Sequence, residues 1–436
     1  MKIVFYSTNS NNFDNNSFHI NTYPTVNSIF DNFCNKHKDV DFYVVTQRPC
    51  FFLPDNLDNS ESNIKILSEH TSINDMAQAI KDINPDFAIS MTYWVDPFDW
   101  LTINDSLVAE SLEKSGIKTI SHPTNSGMIC FDKTKTHEKL KALGFNIPNA
   151  IFVDHDMYFC AGSNKKVIHN VYKDYIANEI KKLTLPLIIK DTVGVSSYGT
   201  TVVHSYGEAI GYLNSKRNNS NRIVEEYISG QQFGTEIYGD KGNYSIMPPL
   251  TFSLNQYGIT SPKLSVKYGP VDNDINIKNL NIMLTKLCEE LGLRGVAQFD
   301  LVYSNNQWYI IEINPRLSGM TYTYSYLLGK SIFSIVYDST IENKKIELLD
   351  ENRKVINIKL PVISLEEFEM ISKIDGVDFV HLTNDDNARQ EREKGYCEII
   401  ISSNSLSNIK NILNEIRNLM SKEDFSNIFS FVEKID

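Results

Sequence analysis

Short runs in which apolar and polar positions alternate dominate the first part of the chain. KIVFYS, DFYVVT, DFAISM and IKTIS each carry a strand-like pattern, and each is followed by a polar or loop segment. Strands spaced in this way predict a parallel α/β lobe over residues 1–120. The aromatic stretch Tyr93 to Trp100 follows one of these strands and reads as a packed loop, with a pocket wall as the alternative. From Asp132 to Ala150 the period changes: Leu140 and Leu143 recur at helical spacing, and Gly144 and Pro148 close the pattern. Residues 121–240 continue as α/β, with SNKKVIHN and NSKRNNSN expected as exposed loops. Residues 241–341 hold further strands and a helix. Past Glu342, INIKLPVIS and CEIIISS read as strands and LSNIKNILNEIRNLM as an amphipathic helix, so a small α+β lobe is expected over 342–436.

Composition excludes more than it identifies. A chain of 436 residues with 42% hydrophobic and 22% charged positions is an ordinary globular protein of two to four lobes. No apolar run approaches the ~18 residues of a membrane span, and MKIVFYSTNS has neither a long apolar core nor a small-residue cleavage site. A cytoplasmic protein without a membrane partner is expected. Six cysteines without a CxxC pair suggest reduced thiols, with no zinc site or disulfide framework. A net charge of −12 argues against a nucleic-acid partner, while a local cluster of Lys and Arg can still hold a nucleotide. No GxGxxG is present, which leaves a dinucleotide reading unsupported.

Three segments carry chemistry. In PLIIKDTVGVSSYGTTVV an apolar strand ends in Lys190, and a loop with Gly194, Ser196, Ser197 and Gly199 leads to a second strand. Glycines let backbone approach phosphate oxygens, hydroxyls add donors and the lysine adds charge; a plain hairpin turn is the simpler reading of this segment alone. In IVEEYISGQQFGTEIYG, acidic residues follow a strand and the chain turns at Gly230, placing a carboxylate and the backbone of Tyr227 and Ile228 against an adenine or ribose, or else making a solvated strand end. In GVAQFDLVYSNNQWYIIEINPRLSG two strand-like runs flank SNN and predict a hairpin. Alternation puts Gln298 and Asp300 on one face and Glu312, Asn314 and Arg316 on another, with two carboxylates and an amide carbonyl facing one space. Hard divalent cations prefer such oxygens, and an arginine beside them can hold a carboxylate or phosphoryl group.

In this order, DKT, IIK with GxSSxG, VEEYISG and a hairpin ending in EINPR resemble the ATP-grasp superfamily over residues 120 to 330. The resemblance implies an α/β chain with a pre-ATP-grasp domain (1–120), an ATP-grasp small, nucleotide-lid subdomain (121–240), a large subdomain with the metal site (241–341) and a C-terminal lobe (342–436). It implies ATP with Mg²⁺, or Mn²⁺ as a substitute. Lys133 and Lys190 resemble the lysines on the nucleotide phosphates, Ser196 and Ser197 the lid over them, and Glu225 and Glu226 with Tyr227, Ile228 and Gln232 the adenine and ribose hinge. Glu312 and Asn314 match the metal-binding pair, and Arg316 the arginine of NPR. Three positions depart from the pattern: Asp191 stands where many members have Pro, Gln232 replaces a glutamate, and the first metal ligand is either Gln298 or Asp300.

The activity implied is transfer of the γ-phosphoryl of ATP to a carboxylate, followed by attack of an amine on the acyl phosphate. Arg294 or Arg316 would stabilise the tetrahedral oxyanion. The segment Met247 to Tyr268 resembles the substrate loop of D-alanine–D-alanine ligases, and Lys267 within it joins the catalytic candidates. The NPR arginine and the C-terminal lobe look more like the L-amino-acid ligases that make dipeptides. The partners expected are a small carboxylate and a small amine, and a homodimer is compatible. Two other readings are a bicarbonate-activating carboxylase or carbamoyl-phosphate-synthase-like enzyme, and a non-catalytic ATP-binding module.

Overall fold

The computed structural model describes residues 1–8, 18–47, 63–68, 71–93, 100–162, 167–194, 200–255, 258–261, 264–271, 275–386, 394–420 and 426–434. The first six strands are β1 (Lys2–Ser7), β2 (Phe18–Tyr23), β3 (Asp41–Gln47), β4 (Ile64–Leu67), β5 (Phe87–Ser90) and β6 (Lys118–Ile120). All but β2 form a sheet in the order β4-β3-β1-β5-β6 with every neighbouring pair parallel. The four runs read as strands are β1, β3, β5 and β6; β4 is four residues long and gave too brief an alternation to stand out.

The next four strands, β7 (Ala150–Val153), β8 (Leu187–Asp191), β9 (Thr201–Val203) and β10 (Arg222–Glu226), make an antiparallel sheet in the order β7-β10-β8-β9. Its inward residues, among them Leu187, Ile189 and Val224, pack with Ile176 and Ile180 of the helix Val171–Ile180 and with Ala209 and Leu213 of the helix Tyr206–Asn214. Asp191 pairs with Arg222 directly across from it, and Arg222 is buried. The departure from proline thus ties β8 to β10 by an ion pair.

The remaining strands are β11 (Gln231–Asp240), β12 (Asn243–Ile246), β13 (Leu250–Phe252), β14 (Ser265–Gly269), β15 (Gly295–Ser304), β16 (Gln307–Asn314), β17 (Lys354–Leu360), β18 (Phe379–Asp385) and β19 (Gly395–Ser403). With β2 they form one ten-stranded sheet, β16-β15-β11-β13-β14-β17-β19-β18-β2, with β12 paired to β11. The boundaries expected at 240 and 341 therefore do not divide it. Backbone groups on a sheet edge need partners, and β17 supplies them to β14 while β2 supplies them to β18.

Alternation along these strands sorts side chains to two faces. Around the C-terminal strands, Val266, Ile356, Ile358, Val380, Ile399 and Ile401 face a core that includes Ile409, Leu413 and Ile416 of the amphipathic helix Leu406–Leu419. On the other face Val355, Phe379 and Ile400 join a core shared with the N-terminal lobe and with the helices Thr321–Leu328 and Ile332–Thr340.

Candidate active site

A cavity of about 270 Å³ lies where the four-stranded sheet meets the ten-stranded one. Lys190 and Glu225 reach it from adjacent strands. Register sets Lys190 opposite Ile223, which makes Glu225 its diagonal neighbour, and Lys190 Nζ lies 2.6 Å from Glu225 Oε2. Lys133 opens the helix Lys133–Ala142, whose N-cap Asp132 accepts from Thr134 N at 2.9 Å. The cap holds that helix start beside β8: Lys133 N donates to Thr192 O at 2.8 Å, and Nζ donates to Gly194 O at 3.1 Å and pairs with Glu312 Oε1 at 2.9 Å. Both lysines expected on phosphates thus line one cavity, each with a carboxylate partner. Ser196 and Ser197 lie outside the described residues.

Glu225, Tyr227, Ile228 and Gln232 line the same cavity. Tyr227 N donates to Pro186 O at 3.0 Å, so that amide is already engaged. The Tyr227 hydroxyl and Gln232 Nε2 both donate to Gly258 O, at 2.8 and 2.9 Å. Gly258 has φ +74°, and a Cβ there would come 2.2 Å from the Tyr227 hydroxyl, so this close approach requires glycine. Glu226 lines the cavity as well. Its carboxylate accepts from Thr184 N at 2.8 Å and Asn149 Nδ2 at 2.9 Å, which fastens the segments flanking the small sheet.

The hairpin β15–β16 forms as expected around Asn305 and Asn306, both at positive φ. Gln298 pairs with Asn314 and Asp300 with Glu312, so all four side chains share one face rather than two. The register shifts just after Asp300. A chain of hydrogen bonds joins the set: Gln298 Nε2 donates to Asp300 Oδ1 at 2.7 Å, Asn314 Nδ2 to Gln298 Oε1 at 2.7 Å, and Arg316 Nη2 to Asn314 Oδ1 at 3.2 Å. Removal from water, reinforced by neighbouring Glu312, pushes the Asp300 carboxyl up to about 7 against the bond from Gln298. Burial opposes the charge of Glu312 too, but Lys133, then Lys190 and Arg316, outweigh it and hold Glu312 below its ordinary value.

Two opposed carboxylates flanked by amide oxygens suit a hard divalent ion that keeps water or phosphate in the rest of its shell. They do not make a complete protein cage: among the described residues no group of three or more His, Cys, Asp or Glu could hold a metal.

Arg294 is not part of this site. Its Nε donates to Asp240 Oδ1 at 3.1 Å, Nη1 to Glu113 Oε1 at 3.5 Å and Nη2 to Thr119 O at 2.7 Å, which makes it a clip between β11 and the N-terminal lobe. Lys267 does line the cavity; its Nζ donates to Gly319 O at 3.1 Å and lies 3.4 Å from Glu398 Oε1. Sequence reasoning missed Glu236, fully buried on β11 opposite Gln298. Its carboxylate accepts from the Tyr238 hydroxyl at 2.5 Å and from Ser318 and Thr321 at 2.7 Å each, tying the turn after NPR to the sheet. Burial pushes it up to about 7. An acid inside the apolar strand GTEIYG was the available signal. Lys359 and Glu398, from β17 and β19, were also missed.

Residues 130–320 match the family model described as ATP-grasp domain. Over 202 residues, 44% of this chain, the sequence is 23% identical to the carbamoyl phosphate synthase large chain of Clostridium botulinum (strain Loch Maree / Type A3); the match spans only 19% of that protein's length. In fold, the chain is similar to an L-amino acid ligase from Bacillus licheniformis, with TM-score 0.63, 14% identity and coverage of 96% of this chain and 97% of the other. It is also similar to a carboxyaminoimidazole ribonucleotide synthase from Aspergillus clavatus complexed with ATP, with TM-score 0.62, 12% identity and coverage of 100% and 99%. No helix among the described residues is long and apolar enough to cross a membrane. The match to the ATP-grasp model covers residues 130–320, and the likeness in fold to these solved structures extends over nearly the whole chain.

Proposed function

We propose that the chain is an ATP-dependent ligase that joins a carboxylate to an amine through an acyl phosphate, releasing ADP and phosphate, with amino acids or similar small molecules as substrates. The observation that carries the reading is the pair of lysine–carboxylate contacts lining one cavity, Lys133 with Glu312 and Lys190 with Glu225. They bring two cations and the acidic hairpin face within reach of one triphosphate. A protein of the same fold is complexed with ATP, which supports nucleotide binding in this cavity.

Lys133 and Lys190 neutralise phosphate charge from the side of the small sheet, at positions their carboxylate partners fix in advance. Glu312 and Asn314, with Asp300 opposite Glu312, would hold Mg²⁺, which when bound would supply positive charge to offset that of the transferring phosphoryl group. Gln298, bonded to both Asp300 and Asn314, keeps those two side chains aligned and is the less direct of the two candidate ligands. Arg316, bonded to Asn314 beside the hairpin carboxylates, is the cation assigned to orient the carboxylate or the oxyanion formed on attack.

Incubation with Mg·ATP and pairs of amino acids, with hydroxylamine as a trap, tests the reading. ADP, phosphate and an acyl hydroxamate are expected; AMP and pyrophosphate would contradict it. A second reading, bicarbonate activation, is favoured by the match to the carbamoyl phosphate synthase large chain and predicts ADP release stimulated by bicarbonate alone.

A further inference from the structure

Lys267 and Lys359 of the cavity wall belong to a polar row that runs across five strands of the ten-stranded sheet. Lys267 on β14 is paired with Asn357 on β17, Lys359 on β17 with Glu398 on β19, Glu398 with His381 on β18, and His381 with Thr22 on β2. Period-two alternation puts them on the face that also carries Val355, Phe379 and Ile400, so the row lies under the helix Thr321–Leu328 and not in bulk water. Asn357, Glu398, His381 and Thr22 are buried.

Buried polar atoms are ordinarily paired. Here Asn357 Oδ1, His381 Nε2 and Thr22 Oγ1 have no hydrogen-bond partner among the described residues, although Asn357 Nδ2 donates to Gly319 O at 3.1 Å and to Thr323 Oγ1 at 2.8 Å. The chain also makes room for the row. A Cβ on Gly319 would lie 3.1 Å from both Glu398 Oε1 and Lys267 Nζ, so glycine at this point of the LSGMT turn lets the pair approach the backbone. At the cavity end Lys267 and Lys359 both line the space into which the hairpin carboxylates project.

We infer that this row is the binding site of the amine-bearing substrate, and that this substrate is an α-amino acid, its carboxylate held by Lys267 and Lys359 and its amine by Glu398 and Asn357 Oδ1. The inference rests on the ligase reading for the role of the ligand, but not for the binding itself. The row sets two lysines, for a carboxylate, beside one glutamate, for an ammonium, which is the charge pattern of a zwitterion. A phosphate dianion would call for more charge or an arginine fork, and the row holds no arginine. Acceptors at Glu398 and Asn357 beside those cations call for a donor close to the acid group, as an ammonium on the adjacent carbon provides. Residues past 320 thus add the second substrate's site to a domain that by itself binds the nucleotide.

Calorimetry on the full chain with Mg²⁺ and a non-hydrolysable ATP analogue tests this, using the common L-amino acids singly and, for any that binds, its N-acetyl, amide and deamino derivatives. At least one amino acid is expected to bind, with each derivative weaker by tenfold or more, and Glu398→Gln and Lys359→Gln are each expected to weaken it by a similar factor. Because Glu398 is buried, a thermal melt accompanies each variant; Lys359 is partly exposed and serves if Glu398→Gln does not fold. Absence of amino-acid binding, equal affinity for the derivatives, tighter binding of a phosphorylated amine, or wild-type affinity in the folded variants overturns the inference. Binding needs no turnover, so a chain that binds amino acids through this row but releases no ADP defeats the ligase reading alone.

Discussion

The two ends of the cavity are built from the same residue types and differ in how completely they are paired. At the nucleotide end Lys190 faces Glu225 and Lys133 faces Glu312, each within 2.9 Å. At the far end Lys267 and Glu398 stand 3.4 Å apart, with Asn357 Oδ1 and His381 Nε2 unpartnered nearby. At the first end the β8–β10 register brings Lys190 to Glu225 and the helix start at Lys133 meets Glu312 on β16, so both cations hold a carboxylate partner in advance and suit a strongly charged ligand. The second draws on β14, β17, β18 and β19 and keeps hydrogen-bonding capacity in reserve among the described residues. Charge neutralisation must be ready before the nucleotide arrives, whereas recognition of a small substrate needs groups that gain a partner only when it binds.

Substitutions at the nucleotide end should have the largest effects. Glu312→Gln removes a carboxylate from the metal face and the partner of Lys133, and ADP release should fall by about a thousandfold or more with the fold intact by thermal melting. Unchanged turnover would take Glu312 out of the site. Arg316→Ala is expected to cost about a hundredfold in turnover with a smaller effect on melting temperature, because its guanidinium bonds Asn314 of the hairpin face and Leu317 O in the turn that follows. Arg294→Ala should show the reverse: a loss of about 2 kcal/mol in stability, from three broken contacts between β11 and the N-terminal lobe, with the KM for ATP unaltered. Denaturant titration and steady-state kinetics on this pair of variants separate the two arginines.

A smaller effect tests the boundary between the ends, where Glu236 sits. Its folded value of about 7 lies above the ordinary 4.5, so the folded chain binds the proton more tightly than the unfolded chain. The stability this contributes is present at low pH and is lost as pH rises from about 4.5 to 7, by up to about 3 kcal/mol. Glu236→Gln should flatten that part of the stability profile, read from denaturant midpoints at pH 4.5, 6 and 7.5. An unaltered slope would mean that other buried acids, such as Asp105 at about 6, carry it.

The arginines also show what could be read in advance. Arg316 follows Asn314 by two residues on a strand end, and local geometry was enough to place it with the metal face. Arg294 sits one residue before β15, the partner strand of the same hairpin, and looked equally near, yet its partners Glu113, Thr119 and Asp240 come from distant segments that no local pattern connects to it. Lys190 and Glu225 were each found in their own motif, but their contact depends on the β8–β10 register.

The sequence by itself determined what short-range physics controls: the alternating strands of the first lobe, the capped helix at Lys133, the two-asparagine hairpin, the amphipathic helix at Leu406–Leu419 and the ordered motifs of the nucleotide site. Only the tertiary structure decided that β11, β17, β18, β19 and β2 belong to one sheet. It alone put the metal candidates on a single face, turned Arg294 into a structural tie, and brought Lys359 to the cavity wall. Strand pairing across long loops is chosen by total burial and by the need of every edge for a partner, and neither quantity is carried by any one segment.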